Sequence, residues 1–129
     1  MTTRDEVRNV LAGFVKAVAD QDAESAVNYY EVDAVVLAPN APMVRGSSAL
    51  RDMFQGMIDG GVKAIEFNTT DLIEDGSLVV EVGTSVVHVE LAPGSSIADP
   101  GKYLVVYRRQ ADGEVKMVCD AFSGDSPPP

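Results

Sequence analysis

Beyond Gly61 the chain holds four strand-length runs, residues 62–73, 78–91, 102–110 and 115–122, and any fold must accommodate that block first. Glu74-Asp75-Gly76-Ser77 and Ala111-Asp112-Gly113 predict tight hairpin turns between the runs. The stretch 92–101, with Pro93, Gly94, Pro100 and Gly101, predicts a longer hairpin loop. Before Gly61 the apolar period is helical. Thr3 and Glu6 read as a capping box, and Val7, Val10, Leu11, Phe14 and Val18 then recur on one face, which predicts a helix over 4–21. Asp22 is placed to cap a second helix over 23–30, whose apolar face includes Tyr30. Residues 34–38 are too short and too β-branched for a helix and are closed by Pro39, so they read as a strand. After a loop carrying Arg45 and Gly46, Ser47 or Ser48 caps a third helix with a stripe of Leu50, Met53, Phe54 and Met57, stopped by Gly60-Gly61. Helices followed by a strand meander make an α+β domain over 1–125, with an antiparallel sheet wrapping a long helix. The Pro-rich tail, 126–129, is expected to be disordered.

Charge narrows the partners. Twenty acidic side chains against ten basic ones give a formal charge of −10, the wrong sign for a phosphate backbone or an anionic bilayer. No apolar run is long enough to span a membrane and the N-terminus lacks the layout of a signal peptide, so a cytoplasmic location is expected. One cysteine, Cys119, and one histidine, His88, exclude an internal disulfide and any Cys/His zinc set. No calcium-loop spacing, glycine-rich phosphate loop or strand-elbow serine is legible, so neither a metal nor a cofactor is expected.

Several strings, in order, resemble one superfamily: Ala19-Asp20-Gln21-Asp22-Ala23 at the helix corner, Asp33-Ala34-Val35-Val36-Leu37-Ala38-Pro39 for the first strand, Arg45-Gly46 before the third helix, and Gly101-Lys102-Tyr103-Leu104-Val105-Val106-Tyr107-Arg108-Arg109 followed by Asp112-Gly113. The chain resembles the nuclear transport factor 2, ketosteroid isomerase and SnoaL cyclase group, above all its bacterial SnoaL-like members of unassigned function. The resemblance implies a cystatin-like cone, three N-terminal helices packed in a strongly curved, mainly antiparallel sheet. It also implies a pocket for a small apolar molecule and a homodimer formed through the outer sheet face. It does not imply one reaction, because this architecture serves several chemistries. The isomerase base falls on Ala38, its helix tyrosine on Phe14 and its second aspartate near Val105, so steroid-type isomerisation has neither acceptor nor donors here. The SnoaL-type acid/base carboxylate, carried on a later strand, falls on Asp120.

The residues themselves supply a reason for Asp120 to matter. With period 2, Val118, Asp120 and Phe122 share a face, and Tyr103, Val105 and Tyr107 share one on the preceding strand. A carboxylate among such neighbours is desolvated, which raises its proton affinity toward a useful range. His88 is the second catalytic candidate if the face of Val80 and Val82 turns inward; a hydrogen-bonded sheet histidine at the dimer face is the competing reading. Phe14, Tyr30, Met53, Phe54, Met57, Tyr103, Val105, Tyr107 and Val118 are the expected ligand contacts. Glu81, flanked by valines, is expected to pair across an interface or face solvent. Cys119 faces away from Asp120 and reads as a small buried hydrophobe. Two classes stay open: acid/base catalysis on an apolar carbonyl compound (cyclase, isomerase or dehydratase type), and a non-catalytic homodimeric module binding a ligand or a partner protein.

Overall fold

The computed structural model describes residues 1–127, so the expected tail falls partly outside the described residues. Helix α1, Thr3–Ala19, starts one residue earlier than the capping-box reading predicts. Thr2 is the N-cap: its hydroxyl accepts the Asp5 N–H, and the Asp5 carboxylate accepts the Thr2 N–H, both at 3.1 Å. Thr3 and Glu6 are released to tie the helix to the sheet. The Thr3 hydroxyl donates to Glu74 at 3.0 Å, and Arg109 donates to Glu6 at 2.7 Å. The apolar stripe is as expected, with Val7, Leu11, Phe14, Ala17 and Val18 buried.

Asp22 caps α2, Ala23–Val27, but this helix ends before the tyrosines. Tyr30 opens β1, Tyr30–Leu37, instead of closing a helix. Aromatic and β-branched residues favour the extended chain here, and β1 gains a parallel neighbour at once, since Met117 N–H bonds the Tyr29 carbonyl at 2.9 Å. A two-residue strand, β2 (Val44–Arg45), lies where only loop was expected and pairs antiparallel with β1. Gly46, at φ 91°, is the N-cap of α3 (Ser47–Asp59) and gives no side-chain cap; both serines lie inside the first turn. Gly61, at φ 111°, follows the helix, and a Cβ there would come within 2.3 Å of the Glu90 carbonyl oxygen. Only glycine lets the chain turn this close to the neighbouring strand.

Strands β3 (Val62–Asp75), β4 (Leu78–Ala92), β5 (Ser95–Arg109) and β6 (Val115–Gly124) complete one sheet of order β2-β1-β6-β5-β4-β3. All pairs are antiparallel except β1 with β6. The long loop expected at 92–101 is instead a tight turn at Pro93-Gly94, with Ser95 already paired to Ala92. Residues 95–100 are all exposed, so this ribbon runs past the core and leaves Ile97 uncovered. The core lies between the helices and the inner sheet face, with Leu50, Val36, Val79 and Tyr107 almost wholly buried. Among the described residues no helix is long and apolar enough to cross a membrane.

Candidate functional site

Cross-strand register assembles the site. Glu81 on β4 stands opposite Val105 on β5, Val105 opposite Asp120 on β6, and Asp120 opposite Val36 on β1. Tyr103, Val105 and Tyr107 turn inward together, as their alternation predicts, and all three are buried. On β6 the alternation breaks. Val106 pairs with Cys119 and Tyr107 with Met117, leaving Val118 as the extra residue of a β-bulge. The inner face therefore runs Val115, Met117, then Asp120 and Phe122. Val118, expected to share it, is only half-buried and stands outside the packed core, because the bulge shifts the parity of the strand.

Asp120 lines a narrow cavity of about 50 Å³ closed by Phe14 of α1, Phe54 and Met57 of α3, Ile65 and Phe67 of β3, Ser85 and Val87 of β4, Tyr103 of β5 and Phe122 of β6. Aromatic rings form most of the wall, with Phe67 edge-on to Tyr103 at 5.1 Å and Phe14 to Phe54 at 5.5 Å. Burial, opposed by a hydrogen bond from Tyr30 and reinforced by the charge of Glu81, pushes the Asp120 carboxyl up to about 6. The Tyr30 hydroxyl donates to Asp120 Oδ2 at 2.7 Å, and burial beside that carboxyl drives the phenol well above its usual range. Of the nine expected ligand contacts four reach the cavity: Phe14 of α1, Phe54 and Met57 of α3, and Tyr103 of β5. Met53 packs on the core beside them, Val105 and Tyr107 lie beneath the wall, and Tyr30 meets the cavity only through Asp120. Larger hollows, of about 550 Å³ beside Glu6 and Lys116 and about 500 Å³ beside Arg4 and Arg8, are open grooves on the surface without a buried acid.

His88 is not in the site. The inner face of β4 carries Val79, Glu81, Gly83, Ser85 and Val87, so the valine-richer set with Val80, Val82 and His88 faces outward. His88 Nε2 lies 2.5 Å from a Glu66 carboxylate oxygen on the outer surface. Glu81, in turn, neither pairs across an interface nor faces solvent. It is fully buried, and three hydroxyls donate to it: Thr69 at 2.6 Å and Tyr103 at 2.7 Å to Oε2, and Tyr107 at 2.7 Å to Oε1. Burial beside this carboxyl pushes both tyrosine hydroxyls far up. Two tyrosines four residues apart facing one glutamate were the only sequence signal for the cluster, and it has meaning only once β4 and β5 are in register. Cys119 does face away from Asp120; burial and the nearby acid push its thiol up. Arg45, on β2, donates to the Asp33 carbonyl oxygen of β1 at 3.4 Å, a contact between neighbouring strands.

The SnoaL-like domain family matches residues 11–118. Among curated proteins none matches the sequence. Several solved structures share the fold. A ketosteroid isomerase-like protein from Erwinia carotovora superposes with a TM-score of 0.81 at 15% identity, over 93% of this chain and 94% of that one. An NTF2-like protein with a cystatin-like fold from Novosphingobium aromaticivorans does so with a TM-score of 0.81 at 16% identity, over 97% and 83%. A protein from Streptomyces avermitilis, provisionally described as a dehydratase of the NTF2-like family, gives 0.78 at 15% identity, over 95% and 96%. At these identities the likeness shows a shared fold and no shared chemistry.

Proposed function

The chain belongs to the SnoaL-like domain family, and from that premise we propose that it binds a small, largely apolar carbonyl compound beside Asp120 and moves a proton on it. The observation that carries this reading is a single carboxyl, with its pKa raised to about 6, on the wall of a mainly apolar cavity. Such a group holds and releases a proton near neutrality, as an acid/base catalyst must. Tyr30 occupies one oxygen of Asp120 and orients the carboxyl. The carboxylate takes a proton from the carbon next to the ligand carbonyl and returns it elsewhere, the step shared by isomerisation, aldol cyclisation and dehydration. Ser85, on the same wall, is the hydroxyl available to the ligand oxygen, since the Tyr103 hydroxyl is engaged by Glu81.

The cavity, about 50 Å³, holds little more than a water molecule, whereas ligand sites typically span roughly 300–1,000 Å³. Binding therefore requires the half-buried side chains of the wall, Met57, Phe67 and Phe122, to move aside. The low polar content of the wall favours the second reading, a homodimeric binding module without turnover, because one carboxyl in a mainly apolar site suffices to anchor a ligand. In either case the half-buried outer valines Val80, Val82 and Val86, with Leu104 and Val106, supply the face for a dimer, which light scattering at micromolar concentration checks.

Proton exchange separates the readings. In deuterated buffer, a panel of cyclic ketones and 1,3-diketones is followed by NMR for loss of the hydrogens next to the carbonyl. Catalysis predicts exchange above background for some member of the panel, reduced at least a hundredfold in Asp120→Asn. Ligand binding retained in both proteins, with exchange at background throughout, establishes the module instead.

A further inference from the structure

A second carboxyl, that of Glu81, lies buried on the inner face of the sheet near Asp120. Glu81 stands in the same cross-strand row with only Val105 between them, which places their Cα atoms roughly 10 Å apart at ordinary strand spacing. Glu81 does not line the cavity, yet the structure devotes four positions to it. Thr69, Tyr103 and Tyr107 donate three hydroxyl hydrogen bonds to its two oxygens. The fourth is Gly83, two residues along the same face. A Cβ at Gly83 would fall 2.5 Å from the Tyr103 hydroxyl oxygen and 2.5 Å from the Asn68 carbonyl oxygen. The missing side chain makes the space through which Tyr103 reaches across to β4. A buried acid with a full set of donors is costly to assemble, and apolar residues would fill the same volume at no such cost.

We propose that Glu81 is a positioning residue for the proton-transfer site: it ties the Tyr103 wall of the cavity in place, and its charge, buried beside Asp120, sets how tightly Asp120 holds its proton. This rests on the reading of Asp120 as the proton-transfer group. The groups that face Asp120 are few. Tyr30 comes from β1, Tyr103 and Tyr107 from β5 and Glu81 from β4, while α1, α3 and β3 present only Phe14, Phe54, Met57, Ile65 and Phe67. None of these is a cation, so the negative charge of Glu81 acts on Asp120 through protein and not through a counter-ion. At roughly 10 Å and an effective dielectric constant of about 20, two such charges interact strongly enough to change a proton affinity on the order of tenfold.

The test follows the Asp120 side-chain carboxyl by carbon-13 NMR against pH, a measurement that needs no substrate. In Glu81→Gln, whose amide oxygen can accept from Thr69 and Tyr103 while its NH2 donates to the Tyr107 oxygen, Asp120 is expected to lose roughly tenfold in proton affinity. In Glu81→Asp, which keeps the charge, the midpoint stays near that of the native protein. A midpoint unchanged in the Gln variant, or lowered equally in both, overturns the proposal and leaves Glu81 a structural group. Should neither variant fold, the native protein is titrated at low and at molar salt. A buried source predicts less than a twofold change, whereas a fall as large as tenfold assigns the effect to the acidic surface and overturns the proposal. Because the readout is independent of turnover, a protein that shows the coupling but no ketone exchange fails the functional reading alone.

Discussion

Glu81 and Asp120 are the same functional group on the same face of one sheet, and the molecule treats them in opposite ways. Glu81 receives three hydroxyl donors and is sealed from solvent; Asp120 receives one donor and keeps part of its surface on a cavity. The difference is a division between a group whose hydrogen-bonding capacity is filled and one whose capacity is left for something else. A saturated buried carboxyl has no role open to a ligand, whereas one held by a single phenol in apolar surroundings binds a proton near neutrality. On the proposed reading, the less supported of the two acids is the one left for chemistry, and the support given to the other holds the wall of the cavity.

Removing the filled acid should break the comparison most severely. Glu81→Ala leaves three buried hydroxyls without an acceptor and opens a void, and is expected to cost about 3–5 kcal/mol. Chemical denaturation checks this; a loss below about 1 kcal/mol would show that the donors find other partners. Gly83→Ala attacks the same cluster without touching its charges. Its Cβ would meet the Tyr103 hydroxyl and a β3 carbonyl, so Tyr103 must withdraw from Glu81, at an expected cost of about 1–3 kcal/mol. Thermal unfolding, together with altered Tyr103 ring resonances, reads the displacement.

The smallest and most informative effect concerns Asp120 itself. Its folded-state midpoint, about 6, lies above the ordinary 3.8, so the folded protein binds this proton more tightly than the unfolded chain does. That contribution is fully present below about 3.8 and is lost as pH rises through about 6, leaving the ionised group a burden at neutral pH. Asp120→Asn, which can still accept from Tyr30, should therefore be more stable than the native protein at pH 7 by about 1–2 kcal/mol, after allowance for the carboxyl's partial exposure. The advantage should vanish near pH 4. Urea titrations across pH 4–8 measure it, and equal stability of the two proteins throughout would mean that Asp120 is not desolvated.

Local signals were legible because they depend on neighbours in the chain. The buried stripe of α1, the Asp22 cap, the turns at Gly76 and Gly113 and the inward set Tyr103, Val105 and Tyr107 all follow from periods of 3.6 or 2 and from side chains within a few residues. Asp120 was legible from its apolar surroundings and its place on the last strand. The misreadings share a different character. The inner face of β4 carries Glu, Gly and Ser, so hydrophobicity alone does not tell which side turns inward, and of the two readings of His88 the strand gives the outward, hydrogen-bonded one. The place of Val118 depends on a bulge that no alternation reveals, and that of Tyr30 on the early start of β1, where its partner is Met117 of β6.

The sequence by itself determined the order of all the elements but the short β2, an α+β chain whose helices precede a meander, because turn residues, caps and hydrophobic period act over a few residues each. Only the tertiary structure decided what the two acids are. An acid between valines is unfavourable in any local reading, and it becomes a filled site when Thr69, Tyr103 and Tyr107 arrive from two neighbouring strands in register. The energy of a buried carboxyl depends on donors that are distant in the chain and adjacent in space, and adjacency of that kind is a property of the folded sheet.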